Sequence, residues 1–334
     1  MRIFVFEYIT GGGMLDSPLP PSLTEEGDMM LSALVADLLE LEGVEVISTR
    51  DARLQTPDLR AEFRQLHSPD DFSLAWDECI ESADAVWPVA PEQFQILERI
   101  CEAVVAKGKI LLNSPPPAVR IAASKIGTAV LLEKQGIPVV PTYRFEDGVP
   151  DRKGSWILKP DDGIGCMDTV ICRSREELFR QYEALSFDRN HVIQPFVHGT
   201  PTSLSILAHA GEAHVLSINR QRIAVTDNSF ALLGCVVNDY LEEQARFHET
   251  GRKVVAAIPE LWGIIGVDIL DTDDGLRVLE VNPRITTSYV GLKESIGANP
   301  AGLLLDLLKG KSPRPELLQA AKRVDVDLEY AGAA

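Results

Sequence analysis

Glu280 and Asn282 stand two residues apart in the stretch Leu279-Glu280-Val281-Asn282-Pro283-Arg284, with a guanidinium following at once. On a strand, alternate residues share a face, so Glu280 and Asn282 point one way while Leu279 and Val281 point the other. Upstream, GIIGVDIL (263–270) and LRVLEVN (276–282) flank an Asp- and Gly-rich turn and read as an antiparallel hairpin. A register centred on Asp274 sets Asp268 opposite Glu280, so that Asp268, Glu280 and Asn282 share one polar face. Directly opposed residues have Cβ atoms roughly 4.5 to 5.5 Å apart, a spacing at which like charges are unfavourable without compensation. A hard divalent cation compensates naturally: magnesium takes oxygen ligands and binds through one or two carboxylates plus substrate phosphates. The bland alternative is a half-exposed acidic sheet facing solvent. Against it stand Asn282, a neutral oxygen donor in register, and Arg284, suited to carboxylate or phosphoryl oxygens.

Two lysines would complete such a site. Lys159 closes the apolar run WILKP (156–160), where a lone buried charge is costly, and the following DDGIG (161–165) offers loop amides that can close over phosphate. Lys125, in AASKIG (122–127), supplies a second cation. Either lysine alone reads as an ordinary solvated charge. Their value lies in combination with the acidic hairpin.

The charge balance makes this combination a requirement. Lys plus Arg number 32 against 50 Asp plus Glu, a formal net charge of -18 on 334 residues, with no dense basic run. Such a field repels nucleic acid and anionic lipid, and a bound polyphosphate needs its own lysines and a divalent cation. Five cysteines without a CxxC pair indicate no disulfide framework, and six histidines without ligand spacing indicate no zinc site. The N-terminal apolar run is short and broken by Glu7, so neither a signal peptide nor a membrane span is expected, and the location expected is cytoplasmic.

The elements that must position these residues fall into two regimes. Strands at 3–8, 44–49, 84–91 and 109–114 alternate with helical patterns at 23–43, 71–83 and 92–108, which implies a parallel sheet with helices on both faces. Gly11, Gly12 and Gly13 follow the first strand but lack GxGxxG spacing and read as a tight turn; no GxxxxGK[ST] run is present. The proline cluster SPPPAV (114–119) marks a boundary. Beyond it come a helix (120–136), extended chain (137–145), strand, loop and strand (154–172), a helix (174–185) and a strand ending in glycine (191–199). ITTSYVGL (285–292) either lines a pocket with the hydroxyls of Thr286, Thr287, Ser288 and Tyr289 or begins a capped helix.

SK at 124–125, ILKP at 157–160, VIQPFVHG at 192–199, GVD at 266–268 and LEVNPR at 279–284 occur in the order and spacing of the ATP-grasp ligases, and the chain resembles that superfamily over nearly its whole length. More narrowly, EYITGGG (7–13), PTSLSIL (201–207) and NPRITTSYVG (282–291) resemble the tyramine-glutamate ligase group of methanofuran biosynthesis. The resemblance implies an α/β fold: a Rossmann-like pre-ATP-grasp domain (1–115), then two α+β subdomains (116–195 and 196–334) that clamp ATP between antiparallel sheets. It implies that Lys125 and Lys159 hold ATP phosphates, that Gln194, Pro195, Phe196 and Val197 form the adenine hinge, and that Asp268, Glu280 and Asn282 bind Mg2+, or Mn2+ in its place. Arg284 would steady the transferred phosphoryl group, with Lys159 beside it. Pro195 has no amide hydrogen, so adenine pairing falls to Val197.

The implied reaction joins a small-molecule carboxylate to an amine through an acyl phosphate, with glutamate and tyramine as the pair and a homodimer as the usual assembly. Phosphoryl transfer of this kind needs positioning and charge stabilisation, so no nucleophilic side chain is required and Cys166 is incidental. A ligase for another amino-acid or dipeptide-type pair and a non-catalytic nucleotide-binding module are the competing readings.

Overall fold

A computed structural model describes residues 1–163, 165–185, 190–226, 228–240, 244–311 and 322–328. The chain begins with β1 (Arg2–Glu7), α1 (Pro21–Leu39), β2 (Glu45–Asp51), β3 (Glu62–Leu66), α2 (Pro69–Ser82), β4 (Ala85–Val89), α3 (Ile96–Ala106) and β5 (Ile110–Leu111). The strands form one parallel sheet in the order β3-β2-β1-β4-β5. Ile3, Val5 and Trp87 pack with Leu31, Leu34 and Leu38 of α1 on one face, and Phe4, Phe6 and Val86 with Cys79 and Ile80 of α2 on the other. The fold is therefore covered on both sides, as its continuous apolar strands require. Edge strand β3 is absent from the sequence reading because only its Leu66 is buried, leaving no apolar pattern to see.

Gly11, Gly12 and Gly13 form the expected tight turn: Gly11 and Gly13 donate backbone hydrogen bonds to Glu7 and Tyr8, and Gly12 has φ +102°. A Cβ on Gly11 would lie 2.4 Å from the Glu7 carbonyl oxygen, so a larger residue is sterically barred there.

The proline cluster starts a helix rather than a linker. Pro116 sits in the first turn of α4 (Pro116–Ala123), where its missing amide costs nothing. The single helix expected over 120–136 is broken at Ser124, whose side chain accepts from the Gly127 amide and caps α5 (Lys125–Lys134). A four-stranded antiparallel sheet follows, from β6 (Tyr143–Arg144), β7 (Trp156–Pro160), β8 (Val170–Cys172) and, after α6 (Arg175–Glu183), β9 (His191–Pro195), in the order β6-β9-β7-β8.

The remaining chain runs through β10 (Thr200–His209), β11 (Glu212–Thr226), β12 (Ser229–Val237), α7 (Gln244–Ala257), β13 (Gly263–Thr272), β14 (Gly275–Asn282), α8 (Tyr289–Ile296), α9 (Pro300–Leu308) and β15 (Val324–Asp327). Its strands form a six-stranded antiparallel sheet, β14-β13-β10-β11-β12-β15. The long β11–β12 hairpin reaches the smaller sheet, where the Ile171 amide donates to the Asn228 carbonyl at 2.8 Å.

Ala118, Ala122, Ala129, Leu132, Ile137 and Val139 share a core with Val267, Val278 and Val281 of the large sheet, and Val140 and Val278 are joined through a backbone hydrogen bond of 2.9 Å. We therefore propose that residues 116–140 belong with the large subdomain and that the small one begins near β6. Among the described residues, no helix is long and apolar enough to cross a membrane.

Candidate active site

The β13–β14 hairpin places Asp268 opposite Glu280, Val267 opposite Val281 and Gly266 opposite Asn282. Towards the turn the register slips by one, with Ile269 opposite Val278 and Thr272 opposite Gly275. A bulge at Leu279 absorbs the difference; the register centred on Asp274 thus holds at the site and fails at the turn. The bulge also corrects the expected facing. Val281 lies in the core, but Leu279 lines the same cavity as Glu280 and Asn282. Bulges re-aim side chains in this way and are common beside active sites.

Lys125 and Lys159 converge on this face. The Lys125 ammonium lies 3.3 Å from Glu280 and donates to the Gly163 carbonyl at 2.6 Å; the Lys159 ammonium lies 4.0 Å from Glu280. Asp161 fixes the approach: its carboxylate accepts from the Ser124 hydroxyl at 2.7 Å and the Ile126 amide at 2.9 Å, tying the start of α5 to the end of β7. Both lysines are buried.

Burial and neighbouring charge act against one another at this face. Burial, opposed by Glu280 and reinforced by Lys125, pulls the Lys159 ammonium down to about 8. Burial, with the Glu280 carboxylate next, pushes Asp268 up to about 8. For Glu280 burial works in the same upward sense, but Lys125 and Lys159 override it and hold the carboxyl below its ordinary value. Gln221 on β11 donates to Asp268 at 3.1 Å, and Asn282 donates to its other oxygen at 3.4 Å.

Arg284, partly buried, pairs with the buried Glu92 at a guanidinium to carboxylate distance of 3.0 Å and also donates to the Ile285 carbonyl. Of the hinge, Gln194 turns its amide to Thr142 at 2.9 Å and the Phe196 amide is spent on the Ser155 carbonyl, while no hydrogen bond from the Val197 amide is formed among the described residues. The Val197 amide is therefore available to a ligand in the cavity.

All ten candidate residues, Lys125, Lys159, Gln194, Pro195, Phe196, Val197, Asp268, Glu280, Asn282 and Arg284, line one cavity of about 440 Å³, within the usual range for small-molecule sites. Thr286, Thr287 and Ser288 line it too. Tyr289 does not: it is buried in the core with its phenol facing Asp37. The Cys166 thiol is in the cavity, but burial pushes it up to about 12, so it is no nucleophile at neutral pH.

Sequence reading missed Glu26, Gln221 and the apolar wall of Ile223, Phe230 and Leu232, all in the cavity lining, together with Glu92 behind Arg284. The alternation in β11 carries a signal for Gln221 and Ile223. Nothing local marks Glu26, which arrives from α1 across the domain seam.

Gly266 lets the loop after the hairpin come close. A Cβ there would lie 2.7 Å from the Thr286 methyl. Gly266→Ala is expected to cost about 1–3 kcal/mol in denaturant unfolding and to raise substrate KM with little change in nucleotide affinity, because Thr286 must move.

The carboxylate pair suits magnesium: two desolvated carboxylates and an amide oxygen are hard donors, and no group of three or more His, Cys, Asp or Glu ligands occurs among the described residues. Two antiparallel sheets, two buried lysines and two carboxylates around one cavity make a site suited to a polyphosphate and a divalent cation. Comparison with known families agrees, matching the ATP-grasp domain over residues 122–288 and the pre ATP-grasp 3 domain over 44–119. The chain belongs to the ATP-grasp family.

Its similarity extends to a particular enzyme. It is 27% identical over 318 residues to the tyramine–L-glutamate ligase of Methanocaldococcus jannaschii, spanning 94% of this chain and 90% of the relative. In fold it is similar to an ATP-grasp superfamily protein from Archaeoglobus fulgidus (TM-score 0.71, 22% identity, 97% of this chain and 91% of that one). It is similar also to the Hydrogenobacter thermophilus 2-oxoglutarate carboxylase biotin carboxylase domain in complex with MgADP (TM-score 0.71, 16% identity, 95% and 72%).

Proposed function

We propose that the chain joins the side-chain carboxylate of L-glutamate to tyramine, consuming ATP and releasing ADP and phosphate. The observation that carries the reading is the meeting of Asp268, Glu280 and Asn282 with Lys125 and Lys159 in one cavity. The substrate pair is supported by the similarity to the tyramine–L-glutamate ligase.

In this reading Asp268, Glu280 and Asn282 hold Mg2+, which when bound supplies positive charge to the phosphate oxygens. Lys125 and Lys159 hold the β and γ phosphates and exchange their contact with Glu280 for the nucleotide. The glutamate carboxylate attacks the γ-phosphorus as the bond to the β-phosphate oxygen breaks, Arg284 steadies the transferred group, and the amine displaces phosphate from the acyl phosphate. Hinge residues Gln194, Pro195, Phe196 and Val197 take the adenine, with Ile157 and Leu279 among the apolar lining. The wall of Ile223, Phe230 and Leu232 suits the aromatic ring of the amine.

The test is ADP release across a panel of carboxylates and amines. Release that requires both glutamate and tyramine is expected; release with a different pair would reassign the substrates.

A further inference from the structure

The charged groups of the cavity are accounted for by nucleotide, metal and the reacting carboxylate, with one exception. Lys125 and Lys159 face Glu280, Asp268 accepts from Gln221 and Asn282, and Arg284 is paired with Glu92. Glu26, on the second turn of α1, lines the same cavity and forms no ion pair among the described residues. Its one hydrogen bond there comes from the Thr287 hydroxyl, a short contact across the seam between the parallel sheet and the loop after the hairpin. One residue on, Gly27 abuts the buried Glu7 carboxylate, whose own proton affinity is raised first by burial and also by the charge of Glu26.

The neighbouring groups are hydroxyls, each able to accept as well as donate. The Thr286 and Ser288 hydroxyls line the cavity, linked at 3.1 Å, and Ser288 contacts the Ser205 hydroxyl at 2.9 Å. An ammonium group has three donors and no acceptor, so a carboxylate flanked by hydroxyl oxygens is its complement. Arg284 lines the same cavity, so a carboxylate and a guanidinium both face whatever small molecule fills it.

Resting on the ligase reading above, we propose that Glu26 holds the α-ammonium group of the amino acid whose carboxylate reacts beside Arg284. The parallel-sheet domain then selects an amino acid over a plain carboxylic acid. The attacking amine is a poorer occupant, because it must lose its proton during turnover, whereas the α-ammonium keeps its charge from binding to release.

The test is calorimetric titration of L-glutamate and of glutarate, which lacks only the ammonium, into the full chain saturated with Mg2+ and a non-hydrolysable ATP analogue. The wild type is expected to prefer glutamate by about tenfold or more, and Glu26→Gln to reduce that preference to about twofold or less with unchanged affinity for the ATP analogue. Glu26→Asp, which keeps the charge, should retain part of the preference. The inference is overturned if glutamate fails to bind, if the wild type does not distinguish the two acids, if the preference survives in Glu26→Gln, or if that variant instead loses only its preference for tyramine over 4-ethylphenol. ADP release with glutamate and tyramine is measured separately on the wild type. Glutamate binding that depends on Glu26 without ADP release would sink the substrate pair and leave the role of Glu26 standing.

Discussion

Glu280→Gln is expected to lower ADP release by about a thousandfold or more while leaving the fold intact. Glutamine keeps the shape and one acceptor oxygen, so the β13–β14 pairing through Val267 and Val281 is not disturbed. What disappears is the charge that faces both Lys125 and Lys159 and opposes Asp268. With Glu280 neutral, the proposed metal site keeps one carboxylate and an amide, and the lysines lose their counter-charge. The measurement is ADP release over a range of Mg2+ concentration. Activity restored in full by high Mg2+ would mean that Glu280 aids affinity alone; full activity at all concentrations would remove it from the metal site.

Lys159→Met has the second large effect, and it is two-sided. Loss of an ammonium from the phosphate site should weaken ATP binding by about a hundredfold, in a way that added Mg2+ does not rescue. The nucleotide-free protein should nevertheless become more stable, by about 3 kcal/mol at pH 7, since each unit of pKa shift corresponds to ~1.4 kcal/mol. The sign follows from burial: the folded-state value is pulled from 10.5 to about 8, so folding disfavours the charged form. That cost is present in full below about pH 8 and disappears as the pH rises towards 10.5. The stability gain of the variant should therefore be greatest at neutral pH and vanish in alkali. Denaturant unfolding in EDTA at pH 7 and pH 10 reads it, and a variant less stable than wild type at pH 7 would contradict the assignment of Lys159 as a strained functional charge.

The legible parts of this protein are those whose chemistry is written in local order. Asp268, Glu280 and Asn282 announce themselves because period-two geometry and a short Asp-rich turn bring them to one face. Lys159 stands out because a charge closes an apolar strand. The parallel sheet reads well where strands are buried on both faces and poorly at β3, which is polar and at the edge. The bulge at Leu279 was not legible: a single inserted residue leaves no composition signal, yet it decides that Leu279 joins the cavity. Ser124 shows the same limit, since its helical neighbours hide a cap that depends on Asp161, 37 residues away. Glu26 and Glu92 were invisible for a further reason. Their roles come from tertiary contacts with Thr287 and Arg284, separated by 261 and 192 residues, and no local pattern encodes a domain seam.

The most direct test of the site is a crystal structure with a non-hydrolysable ATP analogue and Mn2+, read by anomalous scattering. A peak bridging the Asp268 and Glu280 carboxylates, with the triphosphate against the Lys125 and Lys159 ammonium groups, is the expected result. A metal bound away from both carboxylates, or a nucleotide whose phosphates touch neither lysine, would contradict it.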